Sequence, residues 1–113
     1  LMPVLMISTN VTAGNSAAVM KRLSREVAAM LGKPESYVMV QLHDRQRMMF
    51  AGSDTPLAYC ELKSIGLPFE RNTEFCDRLC MLIDELLGVP PKRVYIEFMV
   101  TERHMFGWNS QTF

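Results

Sequence analysis

The segment Leu31–Val40, LGKPESYVMV, has a counterpart in Leu87–Ile96, LGVPPKRVYI, at an offset of 56 residues (87 − 31 = 56). The two segments share Leu, Gly, Pro and Val at four matching positions without a gap. Each is typical of a helix end, in which Gly follows the last helical turn, Pro stands two residues later and a strand then begins. Because the offset is close to half of the 113 residues, the chain is predicted to contain an internal duplication.

The same offset relates the rest of the two halves, so each half is predicted to be strand, helix, strand. Asn15–Leu31 matches Arg71–Leu87, and Asn15 or Ser16 is suited to cap the first helix. Both helices carry apolar residues three or four positions apart, which is typical of one buried face. These residues are Val19, Met20, Leu23, Val27, Met30 and Leu31 in the first helix, and Leu79, Leu82, Ile83, Leu86 and Leu87 in the second.

Four strands are predicted around these helices, from apolar or alternating runs of strand length: Pro3–Thr9, Tyr37–Leu42, Leu57–Ile65 and Val94–Val100. Two βαβ units joined at the turn-forming segment Gly52–Pro56 predict one α+β domain over residues 1–113. We expect a four-stranded mixed sheet with both helices on one face. The sequence offers no third helix for the other face, so neighbouring subunits are expected to cover it.

The composition argues against several classes of function. Lys plus Arg and Asp plus Glu each total 12, so the net charge is zero and favours neither nucleic acid nor an anionic membrane as partner. No apolar run reaches the roughly 18 residues of a membrane span. We expect no signal peptide in Leu1–Ile7, which is short and lacks a basic flank. The chain has three cysteines, an odd number. Together with the lack of a signal peptide, this number favours reduced thiols and a cytoplasmic location.

Common catalytic motifs are absent from the sequence. It contains no glycine-rich phosphate loop, metal-ligand cluster or nucleophile elbow, so no cofactor and no metal are expected. His43 and His104 lack a second ligand at metal-binding spacing and are expected at the surface. Cys76 and Cys80 share one helix face, where packing is the simpler interpretation. Most of the ten methionines are expected to fill the core.

Pro3 offers a chemical role at the start of the chain. An N-terminal proline is a secondary amine, and an apolar pocket disfavours its charged form, so it can act as a general base near neutral pH. This role requires the removal of Leu1 and Met2. The alternative, that Pro3 simply begins an edge strand, stays open at this point.

Short groups of residues with a defined order and spacing extend along the whole chain. They are Pro3 with Ser8–Val11, Gly32–Pro34 with Tyr37, Met49–Ser53, Ser64–Gly66, Arg93–Ile96, and Gly107–Asn109 with Thr112–Phe113. Together they resemble the macrophage migration inhibitory factor family of the tautomerase superfamily. The resemblance implies the βαββαβ fold predicted above, assembled as a homotrimer with an active site at each subunit interface.

The resemblance also implies a reaction, the keto–enol tautomerisation of a substrate such as phenylpyruvate or a dopachrome ester. Pro3, once N-terminal, would be the general base, and Lys33 would attract the substrate carboxylate. The substrate would be bound by Ser64 and the backbone N–H of Ile65, and Tyr95 would come from the adjacent subunit. The pocket wall would consist of Phe106, Trp108 and Phe113, with Val4, Tyr37 and Met39 near it.

The chain departs from the family at two positions. Leu57–Cys60 lacks the first cysteine of the Cys-x-x-Cys pair that is linked to thiol-oxidoreductase activity in the founding member, so no such activity is expected. Glu97 replaces an asparagine of the founding member. Its carboxylate either lies at the pocket rim and opposes an anionic substrate, or faces solvent or a basic side chain. The sequence leaves both arrangements open.

Three functions therefore stay open. The first is a homotrimeric tautomerase that acts on a small aromatic keto acid, provided that Pro3 is N-terminal. The second is a cytokine-like ligand of a cell-surface receptor, exported by a non-classical route. The third is a trimer in which the tautomerase site is vestigial.

Overall fold

The computed structural model describes residues 2–113, and this range contains two helices and six strands. Leu1, whose removal the sequence argument requires, lies outside the described residues. The elements are β1 (Val4–Thr9), α1 (Ser16–Leu31), β2 (Met39–His43), β3 (Ala58–Ile65), α2 (Asn72–Leu87), β4 (Val94–Thr101), β5 (Gly107–Trp108) and β6 (Gln111–Thr112). Neither helix in this range is long and apolar enough to cross a membrane.

The two helices support the predicted duplication. The bounds of α2 are those of α1 shifted by the same offset (16 + 56 = 72 and 31 + 56 = 87). Gly32 and Gly88 follow them with φ of 64° and 71°, a left-handed conformation that glycine adopts without strain. Asn15 caps α1 as predicted, since its side-chain oxygen accepts a 3.0 Å hydrogen bond from the backbone N–H of Ala18.

The four long strands form one mixed sheet in the order β2-β1-β3-β4. β1 pairs parallel with β2 and antiparallel with β3, and β3 pairs parallel with β4. The side chains of one face pack with both helices in the core, among them Leu5, Ile7, Cys60, Leu62, Leu23, Val27, Phe75, Leu79 and Ile83. The predicted α+β class and the placement of both helices on one face are thus confirmed.

The opposite face of the sheet is open in the single chain. It forms a shallow groove of about 400 Å³, lined by Val4, Met6, Ser8, Gln41, His43, Glu61 and Lys63. On the outer strand β4, Tyr95 and Glu97 are exposed. This face mixes apolar and polar side chains.

Tyr37 does not begin β2, which corrects the predicted strand Tyr37–Leu42. The backbone N–H groups of Tyr37 and Val38 donate to the carbonyls of Pro34 and Glu35, at 3.1 and 3.0 Å. These two bonds close the 3₁₀ turn Glu35–Tyr37, and β2 therefore starts only at Met39.

The expectation that most methionines fill the core is wrong. Met2 and Met30 are buried, whereas four of the ten are more than half exposed, namely Met39, Met49, Met81 and Met105. They lie on the open sheet face, in the loop after β2, on α2 and in the turn before β5. Helical or strand spacing predicts one buried face, but it does not say which face an unbranched apolar residue occupies.

Candidate active site

One end of the sheet brings together the starts of β1 and β2 and the ends of β3 and β4, because β3 and β4 run opposite to β1 and β2. Pro3 stands just ahead of β1, and its carbonyl accepts a 3.0 Å hydrogen bond from the backbone N–H of Met39. Val4 pairs with Lys63, so one further step along this antiparallel pair sets Pro3 opposite Ser64. Pro3 is therefore held between the beginning of β2 and the end of β3.

The surroundings of Pro3 exclude water. With Met2 attached, Pro3 is fully buried, and Ser64 and Ile65 are each less than a tenth exposed. The Ser64 hydroxyl donates to the carbonyl of Ile65 at 3.3 Å. Burial of this kind lowers the pKa of an amine, because the charged form loses its hydration. With Met2 attached, however, the Pro3 nitrogen is an amide and has no basicity.

Aromatic side chains of the C-terminal segment lie at the same end of the sheet. Trp108 packs edge-to-face on Tyr37, with ring centroids 5.8 Å apart, and stacks on Phe113 at 6.1 Å. Phe106 contacts Phe113 at 6.3 Å. Tyr37 is two residues before Met39, which is hydrogen bonded to Pro3. The three predicted wall residues, Phe106, Trp108 and Phe113, thus lie together. Tyr37 places them near the start of the β1–β2 pair, where Pro3 lies.

Lys33 carries an uncompensated positive charge. It follows the Gly32 cap of α1, and its backbone N–H donates to the carbonyl of Ala28 at 3.0 Å. The side chain is half-buried, and among residues 2–113 no carboxylate lies within ion-pair distance of its ammonium group. Such a cation attracts an anionic group better than one already paired.

Tyr95 and Glu97 lie far from Pro3 in the same chain. Tyr59 pairs with both Tyr95 and Ser8, which fixes Tyr95 at the level of Ser8 in the sheet. Ser8 is five residues from Pro3 along β1, or roughly 17 Å at the usual rise of a strand. A site that contains both Pro3 and Tyr95 therefore requires a second subunit.

Glu97 is bound by a residue that the sequence pattern does not single out. The Tyr59 hydroxyl donates to Glu97 Oε1 at 2.8 Å and also lies 3.0 Å from Glu61 Oε2. The hydrogen bond with Glu97, followed by desolvation and the Glu61 carboxylate, raises the pKa of Tyr59 well above its usual value. Among residues 2–113 neither Lys nor Arg forms an ion pair with Glu97. Only the register, which sets Tyr59 near Glu97, could have indicated this contact.

Arg93 holds the loop that supports Tyr95. Its guanidinium donates to the carbonyls of Phe50, Ser53 and Thr55 at 2.8 to 3.0 Å, and its charge lies 5.2 Å from the centre of the Phe50 ring. The Phe50 ring in turn packs against Tyr95, with centroids 4.6 Å apart. Two of the sequence groups noted above, Met49–Ser53 and Arg93–Ile96, are therefore in direct contact.

The histidines and the core cysteine lie at positions where no catalytic role is expected. His43 and His104 are exposed, as predicted, and His104 Nε2 lies 3.2 Å from a carboxylate oxygen of Glu102. Cys60 is fully buried in the core, and burial raises the pKa of its thiol to about 12. A thiol in this state is a poor nucleophile.

These features define a class of protein: a duplicated βαβ domain with a buried proline ahead of its first strand and an aromatic C-terminal segment at the same end. The family model described as "Macrophage migration inhibitory factor (MIF)" matches residues 2–113. The chain belongs to the macrophage migration inhibitory factor family.

Relatives and solved structures support this assignment. The chain is 40% identical to a macrophage migration inhibitory factor homolog of Brugia malayi and 34% identical to the macrophage migration inhibitory factor of Mus musculus, each over 99% of both chains. It matches the solved structure from Trichinella spiralis with a TM-score of 0.92 at 33% identity, over 97% of this chain and 99% of the other. The homologue from Prochlorococcus marinus also gives 0.92, at 38% identity over 97% and 98%.

We expect Arg93→Ala to lower the free energy of unfolding by about 1–3 kcal/mol, because several loop carbonyls lose a charged donor. Arg93→Lys should recover only part of this loss, since an ammonium group lacks the planar set of N–H donors that contacts these carbonyls. Urea unfolding at a fixed protein concentration measures both values. The matched control is Lys92→Ala, an exposed neighbour without an ion pair among residues 2–113. Equal stability of Arg93→Ala and Lys92→Ala would contradict the role given to Arg93.

Proposed function

We propose that this protein is a keto–enol tautomerase in which Pro3, as the N-terminal residue, is the general base. The observation that carries the proposal is the position of Pro3, which is buried between the start of β2 and the end of β3. Its carbonyl is hydrogen bonded to Met39, two residues after Tyr37, whose ring packs on Trp108. A secondary amine in apolar surroundings stays neutral closer to physiological pH. It can then remove a proton from the carbon next to a ketone.

The proposed substrate is a small aromatic keto acid of the phenylpyruvate type. The neutral Pro3 nitrogen takes the proton alpha to the carbonyl, and the protonated amine returns a proton to the other end of the enol system. Lys33, which has no carboxylate partner among residues 2–113, supports binding of the substrate carboxylate. The rings of Trp108 and Phe113 support binding of the aromatic group. The roles of Ser64, Ile65 and Phe106 stay predictions.

The proposed active assembly is a homotrimer. The open sheet face presents exposed apolar residues, including Met39 and Tyr95, that a neighbouring subunit can cover. The distance between Pro3 and Tyr95 within one chain supports a site shared by two subunits. In such a ring, Glu97 of one subunit would lie at the rim of the site of the next.

A second proposed function is that of a cytokine-like ligand for a cell-surface receptor, with synthesis in the cytoplasm and export by a non-classical route. It is favoured by the names of the mouse and nematode relatives, each a macrophage migration inhibitory factor or a homolog of one. The two functions are compatible on one assembly. A variant that lacks the base distinguishes them, because it would lose turnover and keep receptor binding.

The tautomerase proposal is tested by comparing protein that begins at Pro3 with protein that retains Met2, both verified by intact mass. We expect phenylpyruvate tautomerisation from the first, and a loss of at least about 100-fold for the second, since general-base catalysis is worth at least that much. Circular dichroism controls for equal folding. Equal turnover by both proteins would show that the Pro3 nitrogen is not the base.

The shared site is tested with mixed assemblies. Chains with a blocked Pro3 and chains carrying Tyr95→Ala should each be weakly active alone. After co-expression they should recover about a quarter of wild-type activity, because about one site in four then combines an intact Pro3 with an intact neighbour. Sedimentation should give about 39 kDa, three chains of 12.9 kDa. A monomer at micromolar concentration, or no recovery on mixing, would refute the shared site.

Glu97→Asn tests whether the carboxylate at position 97 faces the substrate. Removal of a like charge worth about 1 kcal/mol should improve phenylpyruvate turnover several-fold, and an uncharged ester should gain less. A nearby carboxylate favours the protonated amine, so its removal should lower the pKa of the base. The acidic limb of the kcat/KM profile should accordingly move to lower pH. An unchanged profile, on protein that begins at Pro3, would remove Glu97 from the site.

A further inference from the structure

A second groove, of about 510 Å³, lies between α2 and β4 on the helix side of the sheet. Its lining residues are Asn72, Thr73, Cys76, Asp77, Cys80, Met81, Pro91 and Phe98, and none of them belongs to the proposed tautomerase site. The lining is largely apolar apart from its sulfur atoms and a few polar groups. The groove is therefore separate from the proposed tautomerase site.

Three sulfur atoms line this groove. Cys76 and Cys80 are one helical turn apart, a spacing that brings Cβ atoms to about 5–6 Å. Both side chains line the groove, and Cys80 is the more buried of the two. Met81, the next residue along α2, adds an exposed thioether. Sulfur side chains are thus concentrated on one wall of the groove.

A disulfide does not fit this pair. Disulfide bonds need Cβ atoms about 3.5–4.5 Å apart, which is closer than one turn of an intact helix allows. The pair therefore stays a dithiol as long as α2 is formed. Two metal–sulfur bonds of about 2.3 Å each, by contrast, bridge sulfurs as far as about 4.6 Å apart.

The ligand atoms in the groove determine which metal ion it would prefer. Within residues 2–113 no group of three His, Cys, Asp or Glu side chains is arranged to hold an ion, so a tetrahedral zinc site is not provided. Two thiolates and a thioether are soft ligands, and this combination favours Cu(I) over harder ions. Cu(I) also accepts two or three ligands, which matches what the groove offers.

We propose that the groove binds one Cu(I) ion through the Sγ atoms of Cys76 and Cys80, with the Met81 thioether as a weaker third ligand. Binding replaces two S–H bonds by two S–Cu bonds and releases both protons to water, which leaves a bis-thiolate complex with one negative charge. Pro91 and Phe98 cover the site with apolar surface. Asn72, which also lines the groove, has its Oδ1 buried without a hydrogen-bond partner among residues 2–113.

The test is an anaerobic titration of the fully reduced chain with Cu(I) in competition with a chromophoric Cu(I) chelator. We expect one ion per chain, and an apparent affinity that rises by about 100-fold per pH unit between about pH 6 and 8, because two thiols must each lose a proton. X-ray absorption should show a copper shell of two or three sulfurs. Zn(II), titrated in the same way against a zinc chelator, should show no stoichiometric binding.

Variants distinguish Cu(I) binding in this groove from Cu(I) binding by any thiol of the chain. Cys76→Ser and Cys80→Ser should each weaken Cu(I) binding by at least about 100-fold, and Met81→Leu by less. Cys60→Ala removes the core thiol that does not line the groove and should bind like wild type. Circular dichroism checks the fold of each variant. Wild-type affinity in Cys76→Ser, lost binding in a folded Cys60→Ala, or a pH slope near zero in the unmodified chain would overturn the proposal.

Discussion

The antiparallel pairing of β1 with β3 is the interaction on which the rest of this structure depends, because it joins the two halves of the duplication. Each half supplies a parallel strand pair and one helix, and neither half alone encloses a core. The alignment of Leu5 with Leu62 and of Ile7 with Cys60 sets four buried side chains on one face and brings both helices to it. A slip of one residue would turn these side chains to the open face. The same register sets Pro3 opposite the end of β3.

Much of this fold follows from the sequence, for reasons that are local. The Gly-x-Pro pattern after each helix depends on a left-handed cap and on the restricted backbone of proline, so it marks both helix ends well. The start of β2 was harder to predict, because Tyr37 has strand propensity and only the turn bonds of residues 34–38 take it out of the sheet. Exposed methionines mislead for a different reason, since single apolar residues are common on protein surfaces and no spacing distinguishes them from core residues.

The residues of the candidate site also differ in how well the sequence could predict them. The chemical identity of Pro3 and Lys33, together with the family resemblance, is enough to name them. The supports of Tyr95 and Glu97 are long-range contacts: Arg93 reaches a loop some forty residues away, and Tyr59 meets Glu97 across a strand pair. No spacing rule connects such positions. The comparisons establish the family over almost the whole chain.

The two outer strands of the sheet have a consequence for the single chain. β2 and β4 each leave one backbone edge without a partner in the strand order of the single chain. An unprotected edge is a template for indiscriminate pairing with other chains, and aggregation then competes with correct association. Aggregation and correct association both involve more than one chain, so the residues at these two edges help to decide which of the two a newly made chain undergoes. The residues on the outer edges of β2 and β4 therefore bear on the solubility of the single chain as well as on the surfaces that it offers to a partner.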